Sequence, residues 1–96
     1  MTAYWVTTYR EVRDPERLAA YAALAGPAIT SQGGRFVVRG LPEAAHEAGV
    51  LERVVVIEFP DLATALAVHD GREYQEALAV LGDAVTRDLR IVPGAE

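Results

Sequence analysis

The chain has 96 residues, a mass of 10.3 kDa, 14 acidic against 9 basic side chains, and no cysteine. That length implies a single domain over residues 1–96. The absence of cysteine excludes a disulfide scaffold and any cysteine-based zinc, iron–sulfur or redox site. A hydrophobic fraction of 51% argues against a disordered chain, and it is high for a domain too small to own a large core.

The nine basic residues are all arginine, scattered singly along a chain of net charge −5. They form no basic stripe or arm, which excludes nucleic acid as the expected partner. Without lysine there is no Schiff-base chemistry and no lysine general base. The first residues, Met-Thr-Ala-Tyr-Trp-Val, carry no basic head before an apolar run, so they are not read as a signal peptide. No window approaches eighteen apolar residues, and a cytoplasmic chain with no membrane partner is expected.

Ala3 to Val12 reads as a strand rich in aromatic and β-branched residues. Tyr4, Val6 and Thr8 fall on one side, and Trp5, Thr7 and Tyr9 on the other. Neither side is plainly polar, so the strand needs cover on both. Asp14-Pro15-Glu16 then opens a helix with a cap, a first-turn proline and an acid at the positive end. Leu18, Tyr21, Ala25 and Ile29 mark its inward stripe, with Gly26-Pro27 expected to kink or loosen it and Gly33-Gly34 to end it. Arg35 to Gly40 reads as a short second strand, and Leu41 to Gly49 as a connector or ragged hairpin.

Leu51 to Phe59 is the clearest strand, its Val54-Val55-Val56-Ile57 run apolar on both sides and so interior to the sheet. Pro60-Asp61 opens a second helix with Leu62, Ala65, Leu66 and His69 as its inward series, broken at Asp70-Gly71. A further helical segment carries Tyr74, Leu78 and Leu81 before Gly82, and the last strand covers Asp88 to Val92.

The order β-α-β-β-α-β is an α+β, ferredoxin-like pattern: a four-stranded antiparallel sheet with helices on one face. Helices can cover only one face, whereas three strands offer apolar residues to both. Stacking two sheets in a homodimer would bury the second face.

No motif with a known mechanism is present. Gly33-Gly34-Arg35 lacks the spacing and lysine of a phosphate cradle and reads as a helix cap. His46 and His69 are far apart, so no metal and no cofactor is assigned. Three polar residues nevertheless stand out as catalytic candidates. Glu58 shares a strand face with Val54 and Val56, where a carboxylate must be at the rim, paired or functional. Arg39 on the neighbouring strand is its expected ion-pair partner. His69, at a helix end, reads as a structural histidine or as a general base or pocket donor, with haem ligation a third alternative. Trp5, Tyr9 and Tyr74 read first as packing residues and otherwise as pocket lining, since their polar tips can face a cleft.

The stretches Tyr4-Trp5-Val6, Asp14-Pro15-Glu16, Gly33-Gly34-Arg35-Phe36, Arg39-Gly40, Val55-Val56-Ile57-Glu58-Phe59-Pro60 and Glu73-Tyr74-Gln75 together resemble the bacterial family called domain of unknown function 1330. The resemblance runs from Tyr4 to about Pro93. It implies a dimeric α+β barrel, in the superfamily that holds antibiotic-biosynthesis-type monooxygenases, muconolactone isomerases and stress-responsive barrel proteins. It implies no particular reaction. The chain departs from the family pattern where a Trp-Tyr pair and a Ser-Pro pair are replaced by Val68-His69 and Gly71-Arg72, and where the 41–50 connector is Ala/Glu-rich.

Two functions follow as expectations. One is a small protein that binds or transforms an aromatic or quinone-like molecule in a pocket beside the sheet. The other is a non-catalytic homodimeric structural or interaction domain.

Overall fold

The computed structural model describes residues 1–95. Strand β1 (Ala3–Val12) is followed by helix α1 (Pro15–Thr30), strands β2 (Arg35–Gly40) and β3 (Val54–Phe59), helices α2 (Leu62–Asp70) and α3 (Arg72–Leu81), and strand β4 (Val85–Pro93). All neighbours in the sheet are antiparallel, in the order β2-β3-β1-β4. This is the ferredoxin-like architecture that the element order predicts, with the second helical stretch divided at Gly71. Among the described residues no helix is long and apolar enough to cross a membrane.

Local chemistry accounts for the element ends. The Asp14 carboxylate accepts from the Arg17 amide at 3.1 Å and Pro15 occupies the first turn, which fixes the start of α1. The helix runs on through Pro27, which only forgoes the bond its amide would have donated to the Ala23 carbonyl. At the far end Gly33 has φ +103°, and the Gly34 amide turns back to the Ile29 carbonyl at 3.0 Å, a Schellman-type closure. A side chain at position 34 would collide with Ile29 and Phe59, so the chain passes closely under the helix end there.

Two strand boundaries differ from the sequence reading. β3 begins at Val54 rather than Leu51, because its last partner on β2 is Gly40 and Leu51 lies exposed in the connector. β4 begins at Val85 rather than Asp88, because β1 is ten residues long and pairs back to Val12.

The core lies between the helices and one sheet face. Trp5, Ile57, Phe59, Ile29 and Tyr74 are buried at its centre, with Ala65 and Val68 of α2 and Ala77 and Leu81 of α3 against them. Leu62 and Leu66, expected inward, are exposed. α2 instead lays its Ala65 side on the sheet, so close that the Trp5 indole N–H donates to the Ala65 carbonyl at 3.1 Å. The opposite face carries Tyr4, Val6 and Thr8 of β1 beside Val54, Val56 and Glu58 of β3, and no helix covers it.

Candidate functional site

Helix α1 packs chiefly against α3, and its backbone stands off the strands. The face it turns toward the sheet is short of bulk, with Ala22, Ala25 and Gly26 where larger residues would fill the gap. The result is a cavity of about 270 Å3. Trp5, Thr7 and Tyr9 of β1 and Val55 and Ile57 of β3 form its floor, with Phe36 and Arg39 of β2 at one side. Leu18, Tyr21 and Ile29 of α1 line the other wall, and Tyr74, Arg87 and Arg53 complete it.

The deep end is a polar cluster set in aromatic surroundings. The Tyr21 and Tyr74 hydroxyls are hydrogen-bonded at 2.7 Å. Arg87 reaches them from β4: Nη1 donates to the Tyr9 hydroxyl at 3.0 Å and the Tyr21 hydroxyl at 3.3 Å, and Nη2 to the Tyr74 hydroxyl at 3.2 Å. Its guanidinium carbon also lies 5.0 Å from the Tyr21 ring centroid and 5.5 Å from that of Tyr9, within cation–π range. Burial, helped by the neighbouring Tyr74 and opposed by Arg87, pushes the Tyr21 phenol well above its ordinary pKa. Tyr21 is therefore a neutral hydrogen-bonding group and not a phenolate base. Burial works against the charge of Arg87, but the tyrosines around it outweigh that cost and its pKa is raised.

The rings behind the cavity form one continuous layer. Trp5 packs on Phe59 at 5.2 Å between centroids and edge-on to Tyr74 at 4.9 Å, and His69 sits beyond them, 5.7 Å from Trp5 and 5.3 Å from Tyr74. His69 Nδ1 lies 3.0 Å from Asp70 Oδ1. The histidine thus backs the wall and does not line the cavity.

The other candidate residues separate. Trp5, Tyr9, Tyr74 and Arg39 meet at the cavity, whereas Glu58 lies on the uncovered face. There it accepts from Arg35 Nη2 at 2.8 Å and from the Tyr4 hydroxyl at 3.3 Å. The Arg35 hydrogen bond holds its carboxyl below the ordinary glutamate range, against a smaller opposing effect of desolvation. Arg39 is not its partner. Arg35 stands opposite Glu58 at the start of β2, and a register shift between Phe36 and Val38 then inserts one residue, so Arg39 pairs with Val55. One bulge therefore moves Arg39 to the helix side, where its guanidinium lies 4.5 Å over the Phe36 ring.

Arg87, Arg53 and Tyr21 belong to the site and were not singled out from the sequence as site residues. Arg87 alternates with Leu89 and Ile91, which pair with Thr7 and Trp5 on the helix side, so strand parity alone places an arginine among core residues. Nothing in the sequence distinguishes Arg53, which enters from the connector just before β3.

A four-stranded antiparallel sheet of order β2-β3-β1-β4 with helices on one face defines a ferredoxin-like α+β domain, here with an aromatic cavity beneath α1. Residues 2–95 match the family described as Domain of unknown function (DUF1330), and the chain belongs to that family. No curated protein matches the chain. Among solved structures, it is similar to a protein of unknown function from Rhodopseudomonas palustris at 21% identity and TM-score 0.74, covering 99% of this chain and 83% of that one. It is also similar to a dimeric ferredoxin-like protein of unknown function from Thermobifida fusca, at 16% identity and TM-score 0.64, covering 95% and 89% of the two chains. SnoaB, a cofactor-independent oxygenase from Streptomyces nogalater, aligns at 14% identity and TM-score 0.65 over 99% of this chain and 94% of its own.

Proposed function

We propose that the protein binds a small aromatic or quinone-like molecule in the cavity under α1, as a homodimer joined through the uncovered sheet face. The observation that carries the reading is the cavity itself: about 270 Å3, walled by Trp5, Tyr9, Tyr21, Phe36 and Tyr74. An apolar cavity of roughly 150 Å3 holds benzene, so there is room here for a ring with substituents. The polar groups on its wall are arginines, phenols and Thr7. They orient a ligand by hydrogen bonds, and of the three residues assigned to catalysis from sequence only Arg39 faces the cavity. Binding is accordingly the function proposed, with Glu58 and His69 left in supporting roles. The oxygenase named above shares the fold at 14% identity, a likeness of architecture and not of reaction.

Trp5 is the sole tryptophan and lies on the cavity wall, so its emission reports on occupancy. Titration with 1,4-naphthoquinone and 2-naphthol should quench it saturably and raise the melting temperature with ligand concentration. Unchanged emission and melting temperature across such compounds would contradict the reading.

The second reading, a non-catalytic homodimeric domain, is favoured by the uncovered face. Val6 lies between Val56 and Arg90 there, with Val38 beyond Val56 and Val92 beside Tyr4. Val38 and Val92 are more than two-fifths exposed, and a second copy would bury such a row. Light scattering should return about twice the 10.3 kDa chain mass. A particle of the single chain mass would remove the dimer from both readings.

A further inference from the structure

Two independent features give the cavity a sign. The first is how the arginines are compensated. Arg10, Arg13, Arg17, Arg35, Arg72 and Arg90 each lie within 4 Å of a carboxylate. Arg39, Arg53 and Arg87 have no such partner among the described residues, and these three line the cavity. No described aspartate or glutamate shares that lining, although the chain carries a net charge of −5.

The second is the hydrogen-bond balance at the deep end. Three phenol oxygens accept the Arg87 bonds, and one phenol O–H is consumed between Tyr21 and Tyr74. The Tyr9 O–H and the remaining O–H of the Tyr21–Tyr74 pair have no acceptor among the described residues. The cluster thus has donors to spare and no acceptor to offer them. A half-buried guanidinium beside idle hydroxyls, within aromatic walls, is complementary to an oxyanion on a flat apolar body.

We infer that the occupant of the cavity is an organic anion, an aromatic carboxylate whose oxygens take the idle donors of the Arg87–Tyr9–Tyr21–Tyr74 cluster while Arg39 and Arg53 add positive charge at its sides. This inference rests on the proposed binding function and narrows its ligand class. Low polarity around the cluster strengthens charge-assisted hydrogen bonds and makes a neutral analogue of the same shape a poorer fit.

The test compares 2-naphthoate with its neutral counterpart 2-naphthamide by calorimetry on the intact protein. Naphthoate should bind at least about tenfold more tightly, as expected for hydrogen bonds to a charged group. Arg39→Gln and Arg53→Gln should weaken naphthoate severalfold and naphthamide markedly less, so that the preference for the acid shrinks, and Arg72→Gln, remote from the cavity, should alter neither. Tyr9→Phe removes one idle donor while keeping the ring, and should weaken naphthoate selectively even if Arg87→Gln proves too disruptive to fold. Equal affinity for acid and amide would overturn the anionic ligand class while leaving the aromatic cavity reading intact. Binding of 1,4-naphthoquinone without binding of naphthoate would do the same. Failure of all three compounds to bind would overturn both.

Discussion

Along β1, Trp5, Thr7 and Tyr9 lie under the helices at 1%, 3% and 4% exposure, while Tyr4, Val6 and Thr8 between them lie on a face that no helix covers. The two sides differ in more than burial. On the uncovered side charge is compensated: Arg35 meets Glu58, and Arg10 and Arg90 both approach Asp88. On the helix side Arg39, Arg53 and Arg87 face aromatic rings and a cavity with no carboxylate among the described lining residues. A period-two alternation in one strand has thus separated a surface suited to another sheet from a pocket suited to a ligand. The contrast supports the proposed site by charge balance, since apolar content is high on both sides.

That contrast can be broken at several points. The largest effect is expected on the covered side, where Trp5→Ala removes an almost wholly buried ring packed on Phe59, Tyr74 and His69. Urea unfolding should show a loss of about 3–5 kcal/mol, and a loss under about 1 kcal/mol would deny this layer its role as the core. Gly34→Ala places a methyl group against Ile29 and Phe59, and should cost about 1–3 kcal/mol by overpacking. Tyr21→Phe keeps the ring and deletes a hydroxyl bonded to Tyr74 and Arg87, for a loss of about 1 kcal/mol.

The smallest effect lies on the uncovered side. Because Arg35 lowers the folded-state pKa of Glu58, its contribution is fully present above the ordinary glutamate pKa and is lost as pH falls through the lowered value. Asp61, lowered by the Thr64 amide bonded to its carboxylate, follows the same sign. Unfolding midpoints followed from about pH 5 down to about pH 2 should fall less steeply for Glu58→Gln than for the parent chain. An identical acid limb in the two proteins would remove the Arg35–Glu58 pair from the stability of that face.

Much of the architecture was legible because it rests on local signals. Asp14-Pro15 and Asp61 start helices by bonds to amides within the first turn, and alternation along β1 and β3 separates their two faces. The candidate site was legible only in part. Trp5, Tyr9 and Tyr74 are large residues on strongly patterned elements, and their positions follow from the pattern. Arg39 was set beside Glu58 because parity assumes a regular strand, and the β2 bulge reverses parity beyond Phe36. Arg87 was overlooked for a different reason. Strand parity puts it on the helix side, but the three tyrosine hydroxyls that meet this half-buried arginine come from β1, α1 and α3, a convergence that exists only in three dimensions.

The central claim is that the helix side of the sheet, and not its valine side, receives the ligand. Chemical-shift mapping during a titration with 2-naphthoate tests it most directly. The account predicts saturable shifts at the Trp5 indole N–H and at Ala25, Val55 and Ile57, which line the cavity, with Val6, Val56 and Val92 unmoved. Shifts confined to Val6, Val56 and Val92 would contradict it.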